Sequence, residues 1–251
     1  MSGRRPTDVM IVLMDIWFFV AAFLAGVVGT LAGFGAATVL LPVALIFFDF
    51  KTALVLTAFT HLFGNMGRMA FFHKRLAWRV VAYFGLVGIP GTLFGALLVN
   101  RINESVLQAG LGIFLISYGV FALAVPKFHL RQKPVNMLAG GLSSGILAGL
   151  IGTGGAIRTA FLTAYRLPKI QYLATSGALA FVVDGMRIPV YLKDGLLPSR
   201  YYWMLPVLFV LAVGGSYFGK RLANKIPQQA FSKIVLACLI LAGIKLVADY
   251  F

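Results

Sequence analysis

The sequence predicts an all-α polytopic membrane protein made of two repeats, each beginning with a glycine-broken helix. Three observations support this fold class. First, 60% of the residues are hydrophobic and 12% are charged, about half the charged fraction of a soluble domain. Second, apolar runs long enough to cross a bilayer recur along the whole chain. Third, sequence motifs recur between the two halves. The composition excludes a water-soluble enzyme and a disordered chain.

Eight apolar runs follow one another along the chain. They are 9–48, 52–72, 78–99, 105–125, 135–165, 170–192, 201–219 and 230–247. The connections between them are short and hold most of the charge, so no room remains for a soluble catalytic domain. We therefore expect residues 1–251 to form a single transmembrane domain, multi-pass in the plasma (inner) membrane.

Two of the runs, 9–48 and 135–165, exceed the roughly 20 residues that one spanning helix needs. Both contain a glycine cluster part-way along, and glycine lowers the cost of leaving helical geometry. We predict a helix break in each run, so that the runs give ten elements if both breaks reverse the chain. The two clusters are Gly33-Phe34-Gly35 and Gly152-Thr153-Gly154-Gly155. Other glycine pairs, such as Gly91/Gly95, Gly141/Gly145 and Gly215/Gly219, are typical of close helix packing.

An internal repeat relates the two halves of the chain. Residues 91–102 and 215–226 share six of 12 positions. At a spacing of 119 residues, five positions are also identical: Gly26, Leu31, Gly33, Gly35 and Ala37 match Gly145, Leu150, Gly152, Gly154 and Ala156. We predict a first repeat over 9–125, a linker over 126–134 and a second repeat over 135–249.

The distribution of positive charge predicts that the repeats are inverted. The formal net charge is +15, and cytoplasmic loops are enriched in lysine and arginine. The loops that are rich in these residues exchange places between the halves. Ten crossings put 11 basic loop residues inside and six outside, whereas eight crossings give ten against seven. Inverted repeats with broken helices are typical of secondary transporters. The charge is thus mainly a topology signal, and we expect no nucleic-acid partner.

Three arginines, Arg68, Arg158 and Arg187, lie inside apolar runs. A charge within the bilayer usually faces a cavity or a partner, although a long side chain can also reach the interface. Arg158 follows the second glycine cluster, where a restarted helix presents unpaired N–H groups that favour an anion. We predict an anion site formed by the two glycine clusters and these arginines.

Other polar residues in the runs are candidates for coupling or polar contacts. Asp184 and Arg187 are three residues apart and can either neutralise each other or serve ion coupling. His61 can titrate near neutrality, or it can be a packing residue. Asn65 and Ser176 are further candidates for contacts to substrate.

Several chemistries have no sequence signal. The chain contains no Walker sequence, no metal-ligand spacing and no Ser–His–Asp constellation. We predict no enzyme activity, no metal and no cofactor. The single cysteine, Cys238, is interpreted as a small core residue.

The two glycine-cluster regions, 25–37 and 144–156, together with a doubled apolar repeat and short loops, resemble the sulfite exporter TauE/SafE family of membrane proteins. The chain keeps Pro42 but has Ala36 and Ala37 where more glycine is common in that family. The resemblance implies transport of small sulfur-containing anions such as sulfite, sulfoacetate or other sulfonates.

These observations predict a secondary transporter that binds a small anion at the midplane and moves it by alternating access. A passive anion channel with the same site is the alternative, as is a transporter of another small carboxylate or oxyanion. A membrane-embedded enzyme or assembly subunit would need an acid/base or metal cluster. The expected partners are the anion and the lipid bilayer; a coupling ion and a homo-oligomer are left open.

Overall fold

A computed structural model describes residues 8–32, 35–72, 76–125, 133–165, 167–222 and 228–250. Over these ranges the chain forms helices and no strands. The α-helices are α1 (Asp8–Ala32), α2 (Ala36–Ala44), α3 (Phe50–Phe72), α4 (Trp78–Leu98), α5 (Glu104–Ala124), α6 (Pro134–Ile151), α7 (Gly154–Ala164), α8 (Lys169–Lys193), α9 (Met204–Leu222) and α10 (Gln228–Ala248). Single 3₁₀ turns lie at Val99–Arg101 and Ser199–Tyr201. The predicted all-α class is confirmed.

Six helical segments within the described ranges are long and apolar enough to cross a bilayer. They are Leu13–Leu31, Trp78–Arg101, Glu104–Ala124, Pro134–Ile151, Gln171–Lys193 and Met204–Leu222. Large apolar side chains such as Leu86 and Val135 are exposed on the outer surface, as expected for a protein that is surrounded by lipid. The chain is a multi-pass membrane protein.

Both predicted helix breaks are present, and each reverses the chain. Helix α2 folds back on α1, because Gly29 contacts Ala36 and the ring centroids of Phe18 and Phe48 are 4.8 Å apart. Helix α7 folds back on α6 in the same way, because Gly154 packs against Ser144 and Ala148. The runs that contain the glycine clusters are therefore helical hairpins with their tips at the glycines.

Positive backbone φ angles explain why glycine stands at these tips. Gly35 has φ 87° directly before α2, and Gly152 has φ 73° directly after α6. Side chains with a Cβ atom rarely adopt this region. The two positions are not repeat equivalents, so the two hairpins turn by different backbone routes.

Equivalent helices of the two halves pack on each other. Helix α3 packs on α8, and α5 packs on α10. Each pair is antiparallel: His61 contacts Asp184 while Arg68, further along α3, lies against the earlier Gly177. In the other pair Gly112 contacts Gly243 and Gly119 contacts Ile240.

The remaining large interfaces also join one half to the other. Helix α1 packs on α9, and α4 packs on α6, which is the second-half equivalent of α1. Their backbones nearly touch: a methyl group on Gly145 would overlap the carbonyl oxygen of Gly88, and one on Gly215 would lie 2.6 Å from the carbonyl oxygen of Phe23. The predicted role of the glycine pairs in packing is confirmed. We call α1/α9 and α4/α6 the backbone seams.

One sequence interpretation was wrong. Cys238 is exposed on α10 rather than buried in the core. An apolar run in a membrane protein has no polar face, so hydrophobic periodicity cannot distinguish the lipid side from the core. Most of the predicted linker 126–134 lies outside the described residues, and α6 already begins at Pro134.

Candidate substrate site

Helices α3, α7 and α8 bring five ionisable side chains together in the protein interior. Their exposed fractions are 5% for His61, 6% for Arg68, 2% for Arg158, 1% for Asp184 and 1% for Arg187. We call these residues the buried cluster. Burial of an ionised group is costly unless it is paired, so the partners of each side chain decide its role.

Asp184 and Arg187 form an ion pair one helical turn apart on α8. The guanidinium Nη2 lies 2.7 Å from Oδ1 of Asp184, and Nε donates to the same oxygen at 3.0 Å. The third nitrogen, Nη1, donates to the carbonyl oxygen of Ala148 at 2.6 Å. Every nitrogen of Arg187 therefore has a protein partner, and the structural pairing weighed from the sequence is present.

Arg187 and Tyr191 together cap the end of α6. The last carbonyl groups of a helix lack some of their backbone partners, and here the carbonyl oxygen of Ala148 accepts from the Gly152 N–H at 3.2 Å. Nη1 of Arg187 bonds to Ala148, and the Tyr191 hydroxyl makes a short hydrogen bond to the carbonyl oxygen of Gly149. These contacts lie just before Gly152, so α8 holds the second hairpin in position. Sequence reasoning missed Tyr191, although its position one turn after Arg187 was a usable signal.

His61 lies between Asp184 and the first glycine break. Its Nδ1 is 2.8 Å from Oδ2 of Asp184, but the ring N–H is not aligned on that oxygen for a good hydrogen bond. Its Nε2 faces Gly35 in close contact and has no hydrogen-bond partner within the described ranges. The histidine is thus positioned by packing, yet one nitrogen remains available.

Arg68 has only neutral partners in the part of the chain that the structure describes. Its Nη1 donates to Oδ1 of Asn65 at 3.3 Å, and its Nη2 donates to Oγ1 of Thr30 at 3.1 Å. Its Nε is buried without a hydrogen bond. Asn65 donates in turn to the carbonyl oxygen of His61 at 2.8 Å. Asn65 therefore positions Arg68, and no carboxylate compensates this charge.

Arg158 makes the fewest hydrogen bonds of the three arginines in the buried cluster. Within the described residues its hydrogen bonding is limited to Nε, which donates to Oγ of Ser176 at 3.3 Å. The next residue of α8, Gly177, contacts the Cβ atom of Arg68, so both arginine side chains contact the same turn of α8. Three arginines and one aspartate leave the cluster with an excess of two positive charges when His61 is neutral.

Three buried threonine hydroxyls without partners lie on α2, on α3 and directly before α7. Oγ1 of Thr38, Thr57 and Thr153 is buried and makes no hydrogen bond within the described ranges. Thr38 lies in the first turn of α2, and Thr153 directly precedes α7. Hydroxyls and helix N-termini both suit an anion. Thr30, Thr38 and Thr57 were missed because a lone threonine in an apolar run carries no distinctive signal.

Four of the five glycines in the two predicted clusters lie within the described residues. Gly35, Gly152, Gly154 and Gly155 lie at the two hairpin tips and are buried. Gly33 and Phe34 lie outside the described residues. The described residues contain no group of three or more histidine, cysteine, aspartate or glutamate side chains that could hold a metal.

A multi-pass bundle with broken helices around a buried, positively charged cluster defines the class of membrane transporters. Comparison with known proteins places the chain within that class. The family model described as sulfite exporter TauE/SafE matches residues 18–246. The chain belongs to the sulfite exporter TauE/SafE family, and the resemblance seen in the sequence is confirmed.

A curated relative supports the same assignment. The chain is 26% identical over 234 residues to a protein of Methanocaldococcus jannaschii described as a probable membrane transporter protein, covering 85% of this chain and 86% of the relative. No solved structure matches the chain significantly. The chain is therefore a membrane transporter whose site must be interpreted from its own geometry.

Proposed function

We propose that the protein is a secondary transporter of small sulfur-containing anions, such as sulfite, sulfoacetate or other sulfonates, and that it works by alternating access. The anion binds at the hairpin tips, between α2, α7 and the centre of α8. The sulfur-containing substrate class is suggested by the family, whereas the sign of the charge is supported by the buried cluster itself.

The observation that carries the proposal is the uncompensated charge of Arg158 and Arg68. Both arginines contact one turn of α8, and neither guanidinium group has a carboxylate within ion-pair distance among the described residues. Leaving one buried charge unpaired costs about 3–5 kcal/mol. An oxyanion would remove that cost, because guanidinium N–H groups match the oxygens of a sulfonate or carboxylate in geometry and charge.

The arrangement of the helices supports alternating access. We infer that the halves are inverted repeats, because the equivalent helices α3 and α8 lie antiparallel, as do α5 and α10. A two-fold axis that relates antiparallel helices is perpendicular to them, and in a bilayer such an axis lies in the membrane plane. Inverted repeats allow an inward-facing and an outward-facing state of related structure.

Two alternatives share this site. A passive anion channel would conduct a steady current under an applied potential, without saturation by the anion. A transporter of another small carboxylate or oxyanion would show saturable flux of that anion but no competition by sulfite or sulfoacetate. Both are tested by measuring radiolabelled flux and current on the same proteoliposomes.

The decisive variant is Arg158→Gln, which removes the arginine with the fewest hydrogen-bond partners. A hydrogen bond to a charged group contributes about 1.5–3 kcal/mol, so we expect sulfite or sulfoacetate flux to fall at least about tenfold. Arg101→Gln is the matched control, because Arg101 is exposed in the 3₁₀ turn after α4. Undiminished flux in Arg158→Gln would reject the site.

A further inference from the structure

We propose that His61 is a proton-binding site of this transporter, so that anion binding at the first glycine break is accompanied by protonation of His61 Nε2. The anion and one proton then cross the membrane together. The inference rests on the proposed function, since it names a second ligand of the same site. The proton comes from water on one side, binds the Nε2 lone pair and is released on the other side.

The position of Asp184 determines which nitrogen of His61 exchanges the proton. A lone pair on Nδ1 would face a carboxylate oxygen only 2.8 Å away and be repelled by it. The neutral ring therefore carries its proton on Nδ1, which leaves Nε2 as an acceptor. Protonation converts Nε2 into a donor that points at Gly35, at the start of α2.

The surroundings explain why this proton needs an anion. From the helices packed around it, His61 faces Asp184 and Arg187 of α8 and Arg158 of α7, and Arg68 lies two turns along α3 itself. Helix α2 offers no titratable side chain. Helices α1, α5 and α9 also contact α3, and their titratable or charged residues are Asp8, Asp15, Glu104, Tyr118, Tyr217, Lys220 and Arg221. A protonated His61 would add a third uncompensated positive charge to the buried cluster.

An anion at the hairpin tip changes that balance. It would be repelled by an unprotonated Nε2 lone pair, and it would be attracted by an imidazolium N–H. Each ligand therefore raises the affinity for the other, and this coupling is reciprocal by thermodynamic necessity. The His61 side chain is 5% exposed, and its Nε2 has no hydrogen-bond partner within the described ranges. This atom couples the binding of the anion to the binding of the proton.

A continuous chain of contacts carries the effect to the other half. Gly35 touches His61, His61 contacts Asp184, and Asp184 holds Arg187. Arg187 in turn bonds to the carbonyl oxygen of Ala148, before the second break. Protonation of His61 at the first hairpin tip can therefore affect Arg187, which holds the second hairpin through Ala148. This links proton binding to both moving elements of the site.

The test uses the full chain in proteoliposomes with radiolabelled sulfoacetate, whose two acidic groups stay ionised between about pH 6 and pH 8. Each turnover carries a dianion and one proton, so the membrane potential is held at zero by valinomycin with equal potassium on both sides. With an acidic exterior at about pH 6 and an interior at about pH 8, we then expect sulfoacetate to accumulate above its external concentration. A trapped pH indicator should show interior acidification when sulfoacetate is added. At symmetric pH, the affinity should weaken about tenfold per pH unit on the alkaline side of the titration.

The variant His61→Gln keeps a polar side chain but cannot titrate. We expect it to lose accumulation driven by the proton gradient and to exchange labelled for unlabelled sulfoacetate at a rate independent of pH. His129→Gln, in the sequence between the two halves, is the matched control and should behave like the wild type. The wild-type proton measurement needs no variant, so misfolding of His61→Gln cannot hide the answer.

The outcomes separate the two proposals. If wild-type vesicles carry neither sulfoacetate nor sulfite beyond protein-free vesicles, the proposed function fails and the proton site falls with it. If sulfoacetate flux is present but moves no protons, or if His61→Gln retains proton-driven accumulation, the proton site alone is rejected.

Discussion

Arg68 and Arg187 occupy equivalent positions in the two repeats, 119 residues apart, but their surroundings differ. Each lies one turn after a polar residue of its own helix, which is Asn65 on α3 and Asp184 on α8. One side chain therefore meets an amide and the other meets a carboxylate. Arg187 is neutralised and caps α6, whereas Arg68 keeps its charge.

The difference shows how a duplicated position can divide two tasks. A fully paired arginine makes a stable brace, because its removal leaves a buried carboxylate without its charge partner. An arginine with neutral partners is held in place without being neutralised, so its charge remains for a ligand. A single residue, Asn65 in place of an aspartate, separates the two roles.

The largest expected effect comes from removing the brace. Arg187→Ala leaves Asp184 buried without its charge partner, so we expect the free energy of unfolding to fall by about 3–5 kcal/mol. Thermal unfolding of the purified protein in detergent measures this loss. The double variant Asp184→Asn/Arg187→Gln should lose less, because no unpaired charge remains. A wild-type melting temperature for Arg187→Ala would contradict the assigned role.

A second variant makes the partner of Arg68 on α3 the same as the partner of Arg187 on α8. Asn65→Asp gives Arg68 the carboxylate that Arg187 already has. We expect anion affinity to fall about tenfold, because a charge-assisted contact worth about 1.5–3 kcal/mol is diverted from the ligand. Sulfite titration calorimetry measures the affinity. Asn100→Asp adds the same charge at an exposed position and should leave sulfite affinity unchanged. Equal losses of affinity in both variants would contradict the role assigned to Arg68.

The smallest effect concerns the second group that caps α6. Tyr191→Phe removes the hydrogen bond to the Gly149 carbonyl oxygen, while Arg187 still holds Ala148. We expect a loss of about 1 kcal/mol in the free energy of unfolding, measured by the same melting experiment. Tyr202→Phe alters an exposed tyrosine and serves as control. A loss as large as that of Arg187→Ala would mean that the cap depends on the tyrosine instead.

Much of the fold could be predicted from the sequence, because the bilayer imposes run length and the glycine clusters are local signals. The helix breaks and the pairing of Asp184 with Arg187 follow from spacing along one helix. The contacts of Arg68 with Thr30 and of Arg158 with Ser176 could not be predicted, because these partners lie on other helices and only the packing brings them near. The exposure of Cys238 was misjudged because lipid and protein core select the same apolar residues.

The backbone seams bear on how such a bundle can change shape. The halves are intertwined, as in a domain-swapped dimer. Helix α1 of the first half packs closely on α9 of the second, and α6 of the second packs closely on α4 of the first. Pulling the sequence halves apart would open both seams at once. Under the proposed alternating access, we therefore expect mixed pairs with one helix from each half, rather than the duplicated halves, to move as units. We expect shear at the hairpin tips and at the α3/α8 contact.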